Sequence, residues 1–354
     1  MRRHLLSVAS VACLAAPLPV AAQEARPSVL AIDTAAAIEQ IADFDGNVAT
    51  GLSMDALVSI GRPGLEAIVW PVAQRFNSGQ WVRDVWIATL RYERPGPVGV
   101  RLDGGLIPSP VGLANLTVRR PHLNPTISQP SSLFAALPPL ELRAPRPTLL
   151  GAVYPLGTQI TVSGSRWDAR AALMDTSPLR RRRILSRTNP PRFATVLVGG
   201  GVTPVVGLRL GASVTRGGWL REGEGPAVTA TQYATIVTIE SEFAFRYTRV
   251  AGEWVRDRIE TTLGRRVASG WFVHGQQTLA PRWFAAGRIE RIDSPLVLQT
   301  DAVEQQLTGV EAVLGFRVTP DLTVRIGHRA RRTFGRPAYD HQAAVSLVWW
   351  RRWM

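Results

Sequence analysis

Hydrophobic and polar residues alternate along much of this chain with a period of two. In segment 48–60 most apolar residues take the even positions, while glycine, serine and aspartate take odd ones. Segments 206–215 and 310–318 repeat the pattern. Because successive side chains of a β-strand point to opposite faces, each segment predicts a strand with one apolar and one polar face. A soluble β-sandwich alternates in the same way, so alternation alone does not decide the architecture.

The same pattern recurs often enough to predict about 16 strands. The predicted strands span residues 28–38, 47–60, 63–74, 81–93, 97–107, 149–162, 166–175, 192–202, 205–216, 231–241, 246–258, 267–278, 281–292, 308–318, 321–331 and 340–350. Pro155 and Gly157 interrupt the pattern in segment 149–162. A count of 14 or 18 strands therefore stays possible.

The connections between these strands alternate between short and long. Residues 62–63 and 203–204 are examples of the short kind, and 108–147, 259–266 and 293–307 are long. An up-and-down barrel collects its long loops on one side and its tight turns and both termini on the other, whereas a Greek-key sandwich does not. The prediction is therefore an all-β fold, a transmembrane antiparallel up-and-down β-barrel.

The first 22 residues have the composition of an export signal. Arg2 and Arg3 precede an apolar stretch, 5–20, that ends at small residues before Gln23. This order predicts a signal peptide at 1–22, and a mature barrel at 23–354 in the outer membrane of a Gram-negative bacterium. A lipid anchor on Cys13, the single cysteine, is a weaker alternative because its apolar core would be very short.

The charge of the chain comes from arginine alone. The sequence has 41 Lys+Arg, all of them Arg, against 27 Asp+Glu, a formal charge of +14. Most arginines are scattered singly, which argues against a nucleic-acid partner. With one cysteine and isolated histidines at 122, 274, 328 and 341, we expect no disulfide, metal or cofactor. No catalytic motif is present, so the chain is predicted not to be an enzyme.

Many charged side chains fall on the polar face of the predicted strands, which we expect to line the lumen. The predicted pore-lining, anion-contacting arginines are Arg101, Arg170, Arg209, Arg288, Arg317, Arg325 and Arg329. The predicted lumen acids are Asp55, Asp103, Asp168, Glu253, Glu290 and Glu311. Arginine on a lipid face costs about 2–4 kcal/mol at mid-bilayer, so the wet face is favoured. Mutual pairing of these charges across the wall is the alternative to solute contact.

Aromatic residues tend to fall on the opposite, apolar face near strand ends. They are Trp86, Tyr92, Trp167, Tyr233, Trp254, Trp271, Trp283 and Trp349. This placement predicts interfacial aromatic girdles. Core aromatics of a soluble protein are the alternative.

Three segments resemble those of phosphate-selective-porin-like outer-membrane proteins. Residues 250–256, VAGEWVR, resemble their GEW/GEY strand, residues 279–289 resemble their PRW hairpin, and 104–112 are similar to a strand-to-loop segment. The resemblance implies a porin-like barrel of about 16 strands that is usually trimeric. The family's lysine ladder is absent here, and the tail 351–354 follows the aromatic pair that would close such a barrel.

The longest connection, 108–147, is rich in proline and is expected to fold into the lumen as a constriction. Its predicted constriction arginines are Arg119, Arg120, Arg143 and Arg146. Proline stiffens such a loop. An outward surface loop, or a latch that reaches a neighbouring subunit, is the alternative.

These features predict a porin-like passive diffusion channel for small hydrophilic solutes with a weak anion preference. The predicted partners are outer-membrane lipid and lipopolysaccharide, small anionic or polar solutes, and further copies of the chain in a homotrimer. Arginine-rich loops such as 180–183 could attract anions or bind lipopolysaccharide phosphates. A non-conducting surface or structural barrel, an adhesin or interaction protein, is the alternative.

Overall fold

The computed structural model describes residues 29–43, 45, 47–75, 79–112, 119–141, 143–151, 153–180, 193–298 and 301–353. The predicted signal segment 1–22 lies outside the described residues. None of the helical structure in the described ranges is long and apolar enough to cross a bilayer.

The described chain folds into a closed barrel of 16 antiparallel strands, in which each strand pairs with its sequence neighbours and β1 pairs with β16. The strands are β1 Val29–Asp43, β2 Val48–Arg62, β3 Leu65–Arg75, β4 Trp81–Arg94, β5 Gly99–Leu106, β6 Leu156–Ser163, β7 Trp167–Met174, β8 Thr195–Val205, β9 Leu208–Leu220, β10 Gln232–Phe245, β11 Thr248–Thr261, β12 Gly264–Ala280, β13 Trp283–Leu298, β14 Asp301–Thr319, β15 Leu322–Arg332 and β16 Asp340–Arg352. The prediction of an all-β up-and-down barrel with 16 strands is confirmed.

The period-two pattern separates the two faces of the wall. In β8, Val196 and Val198 are exposed, whereas Leu197 between them is 1% exposed. In β9, Leu210 and Val214 are exposed on the outside, and Ser213 is buried on the inside. The outer face of the barrel is therefore apolar, and the inner face carries most of the polar and charged side chains.

The prediction of long connections at 259–266 and 293–307 is wrong. β11 ends at Thr261 and β12 begins at Gly264, while β13 continues to Leu298 and β14 begins at Asp301. The hydrogen-bonded ladders continue past the point where the outer face stops being apolar. Alternation of apolar and polar residues requires that one face of the strand meets apolar surroundings. The alternation is therefore lost in this part of the strands, although the backbone hydrogen bonds continue.

The strand predicted at 149–162 begins later, at Leu156. Pro155 has no N–H to donate to a ladder, which makes it a natural point for pairing to start after it. The connection between β5 and β6 therefore spans residues 107–155, longer at both ends than the predicted 108–147 loop. We call residues 107–155 the inner segment.

Trp86 does not lie on the outer face as predicted. Trp70 pairs with Ile87 and Pro71 with Val85, so Trp86 is an extra residue at a bulge. One extra residue moves the side chains beyond it to the other face. Trp86 is 9% exposed and packs inside the barrel.

Candidate functional site: the barrel interior and its inner segment

The interior wall carries acids and arginines in close pairs. On β7–β10, the Arg209 guanidinium donates to Asp168 Oδ1 at 3.0 Å and to Glu240 Oε1 at 2.7 Å, and Arg170 donates to Glu240 at 3.3 Å. These contacts join β7, β9 and β10 into one chain of alternating charge. Because each charge is buried and paired, its field is largely cancelled along this part of the wall.

A second interior cluster lies on β4 and β5. The Asp103 carboxylate accepts from the Arg91 Nε at 2.7 Å and lies 3.1 Å from the Arg101 Nε. Asp103 is 3% exposed, and Arg91 is 6% exposed. Glu66 Oε2 also lies 4.0 Å from Arg91 Nη1, so two guanidiniums meet two carboxylates in this cluster and their charges largely cancel.

Residues 119–131 of the inner segment, which we call the polar anchor, bind to carboxylates of β13 and β14. Glu311 accepts hydrogen bonds from the backbone N–H of Ile127 at 2.9 Å and of Ser128 at 3.0 Å. Glu290 accepts from the backbone N–H of Ser131 at 2.7 Å and from its hydroxyl at 2.6 Å. Backbone donors that would otherwise be buried without a partner are thus satisfied by charged acceptors.

Two buried arginines complete the polar anchor. Arg288 donates to Thr126 Oγ1 at 2.8 Å and to Glu311 Oε2 at 2.9 Å. Arg325 donates to the backbone carbonyls of Asn124 and Thr126, each at 2.9 Å. The carbonyls and the N–H groups of one short stretch are therefore held by side chains of opposite charge from three adjacent strands.

The N-terminal end of the polar anchor contacts the next strands around the wall, β16, β1 and β2. Arg120 donates from Nη2 to Asp55 Oδ1 on β2 at 2.6 Å and to the Asp33 carbonyl on β1 at 3.2 Å. His122 stacks on Trp350 of β16 with ring centroids 5.0 Å apart. Burial, together with the positive charge of nearby arginines, holds the pKa of His122 well below its ordinary value.

Arg119 enters a cage of aromatic rings instead of an ion pair. Its guanidinium carbon lies 4.0 Å from the Trp86 ring centre and 4.8 Å from that of Phe134. Trp86 stacks on Tyr154 at 5.3 Å and meets Trp70 edge-on at 5.1 Å. Burial lowers the pKa of Arg119 and raises that of Tyr154. Sequence analysis missed this cage, because only the bulge on β4 turns Trp86 inward.

Residues 133–151, which we call the apolar anchor, pack against the inward faces of β9–β13. Its buried leucines and the wall residues they join form one apolar cluster that includes Leu133, Leu137, Leu140, Leu149, Leu150, Trp219, Ile236, Val255, Phe272 and Ile292. At its edge, the Glu141 carboxylate accepts from the Thr262 backbone N–H at 2.8 Å, at the turn between β11 and β12. Fully buried apolar side chains exclude water from this part of the interior.

The arginines predicted to line the pore divide into three groups. Arg101, Arg170, Arg209 and Arg288 pair with carboxylates, and Arg325 mainly holds backbone carbonyls. Arg317 lies over the Phe284 ring at 5.1 Å, and Arg329 donates to the Gln342 side chain at 3.1 Å. In the described part of the chain, neither of these last two has a carboxylate within 4 Å.

The remaining predicted site residues are placed differently from one another. Glu253, a predicted lumen acid, lies directly against the inner segment. A Cβ added to Gly112, whose φ is +67°, would fall 2.4 Å from the Glu253 Oε1. Arg143 and Arg146 are exposed, whereas Arg119 and Arg120 are buried. The structure therefore does not bring the four predicted constriction arginines together. Over the described ranges, no group of three or more His, Cys, Asp or Glu residues could hold a metal ion.

Searches with the sequence found no matching family model and no matching curated protein. Solved structures do match. OmpF of Salmonella typhi, in complex with daunomycin, is 9% identical with a TM-score of 0.62, covering 91% of this chain and 97% of that one. The chain has the fold of an outer-membrane porin.

Two further porin-like structures cover 92% of this chain and all of their own. The anion-selective porin of Comamonas acidovorans is 10% identical with a TM-score of 0.56. The trimer form of OmpT, an outer-membrane protein of Vibrio cholerae, is 9% identical with a TM-score of 0.57. At such low identity the likeness concerns the fold.

Proposed function

We propose that this protein is a passive diffusion channel for small hydrophilic solutes in the outer membrane, with a weak preference for anions. The observation that carries the proposal is a closed 16-strand barrel with an apolar outer face and a polar, arginine-bearing inner face. A barrel of this size is wide enough for an aqueous passage beside an inner segment. Its mechanism is physical, since selectivity comes from pore width and fixed charge.

The anion preference rests on few of the interior arginines. Paired guanidiniums such as Arg209 add little net field, whereas the guanidiniums of Arg317 and Arg329 contact a phenyl ring and a side-chain amide instead of a carboxylate. Phosphate selectivity, as in the resembling family, would have to use such guanidiniums because the chain contains no lysine.

Reversal potentials in planar bilayers under a KCl gradient test this proposal. We expect a modest anion-selective potential that shifts toward cations in Arg317→Gln/Arg329→Gln. Arg256→Gln/Arg258→Gln, which removes the same two charges from the outer face, serves as the control and should leave the potential unchanged. A cation-selective wild-type potential contradicts the preference, and absence of conductance contradicts the channel.

The apolar anchor favours a second candidate, a non-conducting structural or interaction barrel. Its leucines meet Trp219, Phe272 and Ile292 without leaving water-exposed surface among them, as in the core of a soluble protein. If this packing closed the whole cross-section, refolded protein would show no single-channel steps. The conductance measurement therefore separates the two candidates.

Lipopolysaccharide and further copies of this chain are the proposed macromolecular partners. Arg256 and Arg258 are exposed on the outer face of β11, and their register partners, Val237, Ser269, Thr235 and Val267, include no acid. Guanidiniums placed above the apolar band suit lipid phosphates. Arg256→Gln/Arg258→Gln should weaken co-purification of lipopolysaccharide.

A homotrimer is supported by the trimer form of the similar Vibrio cholerae barrel. Native mass measurement in mild detergent checks it. A mass of one chain would contradict the trimer without affecting the channel.

A further inference from the structure

Two histidines that are 13 residues apart in sequence meet on the outer face of the barrel. His328 lies on β15 and His341 on β16, and both are exposed. In the register of these strands His328 pairs with Ala343 and Ala330 with His341. The two imidazoles are therefore diagonal neighbours on one face, and only small alanine side chains stand directly opposite them.

The ring nitrogens of the pair are placed as two ligands of one ion would be. His341 Nδ1 lies 3.4 Å from His328 Nε2, and the ring centroids are 5.4 Å apart. Zinc–nitrogen bonds of about 2.1 Å that meet at a tetrahedral angle separate the two nitrogens by about 3.4 Å. The 3.4 Å between the two ring nitrogens is longer than a usual hydrogen bond.

The position of the pair gives an ion access from water. On the same face as the histidine pair, Ile326 of β15 and Val345 of β16 are each 52% exposed, as expected for residues of an apolar band. Gln40 of β1, the register partner of Val345, is an exposed polar residue. The histidines thus stand at the edge where the apolar surface gives way to polar residues, and water can supply the remaining ligands.

We infer that His328 and His341 form a site for a divalent transition-metal ion such as Zn²⁺, Ni²⁺ or Cu²⁺. Imidazole suits these ions, and hard ions such as Mg²⁺ prefer oxygen ligands. Two protein nitrogens hold the ion, and its other coordination positions take water. The site faces away from the lumen, so occupancy does not depend on the proposed channel activity.

Titration of the tag-free, full-length protein in detergent with Cu²⁺ tests the site by electron paramagnetic resonance. We expect one ion per chain with nitrogen hyperfine coupling from two imidazoles, and Zn²⁺ should compete for it. His328→Ala and His341→Ala should each weaken binding at least tenfold, and the double variant should lose little more. Gln40→Ala, on the same rim, should bind like the wild type.

Channel conductance should not change in either histidine variant, which also reports that the barrel is folded. Copper binding with equal affinity in wild type and the double variant would overturn the inference. So would the lack of any saturable two-nitrogen signal, which would leave the pair as a hydrogen bond between rings.

Discussion

The two anchors of the inner segment are held by different forces. The polar anchor binds Glu290, Glu311 and Arg288 through hydrogen bonds of defined direction, including bonds from its own backbone. The apolar anchor packs leucines such as Leu149 against the wall. Hydrophobic burial is non-directional, whereas a charged hydrogen bond is lost when either group shifts. The apolar anchor therefore holds the inner segment against the wall, and the polar anchor determines the positions of its individual residues.

Arg288→Met tests the polar anchor most severely. Arg288 is 3% exposed and bonds Thr126, Ser128 and Glu311, so its loss leaves a buried carboxylate without its main cation. We expect the free energy of unfolding to fall by about 3–5 kcal/mol. Urea unfolding of protein refolded into detergent measures it. Arg291→Met, three residues on and facing outward, is the control, and an equal loss there would contradict the directional role.

Leu149→Ala tests the apolar anchor. Leu149 is fully buried, and its side chain fills the space beside Gly270. Truncation should lower the free energy of unfolding by about 3 kcal/mol while the reversal potential stays that of the wild type. A shifted reversal potential would show that this anchor also sets charge positions. Leu173→Ala, exposed on the outer face, should have a much smaller effect in detergent.

His122 makes the polar anchor sensitive to acid. Because its pKa in the fold lies well below the ordinary value, the unfolded chain binds more protons between those two pKa values. The contribution of His122 to stability is therefore complete above about pH 6.5 and is lost progressively as the pH falls below that value. His122→Phe keeps the stacking on Trp350 and should make this part of the profile less steep. An unchanged profile would place the titration elsewhere.

Glu141→Gln should give the smallest effect. The variant keeps one acceptor for the Thr262 backbone N–H but loses its charge. We expect a loss of about 1 kcal/mol. A double-mutant cycle with Thr262→Val measures the coupling of the two side chains, and a coupling near zero would show that the contact only fills space.

The number of strands and the two faces of the wall follow from the period-two alternation in the sequence, and the up-and-down order follows from the lengths of the connections. The partners of the interior charges do not follow from either. Arg170 on β7 reaches Glu240 on β10 across the two strands between them, and Ile127 binds Glu311. Such contacts depend on barrel tilt and on the path of a 49-residue connection, which residue spacing does not encode.

Two local features could not be predicted from the alternation of apolar and polar residues. The bulge that turns Trp86 inward changes one position of pairing without changing the hydrophobic residues around it. His328 and His341 look isolated in the sequence, and only the pairing of β15 with β16, joined through residues 333–339, brings them together. A register drawn for the last two strands would have found the pair.

The strands differ greatly in length around the barrel. β5, β6 and β7 have eight residues each, whereas β14 has 19. With a strand tilt of about 40°, eight residues rise only about 20 Å, against an apolar band of about 25 Å. In the proposed outer-membrane setting, the bilayer beside β5–β7 must thin by several ångströms or give way to protein. In that setting the lipid ring around the barrel would be uneven, and membrane thickness would influence how the molecule tilts.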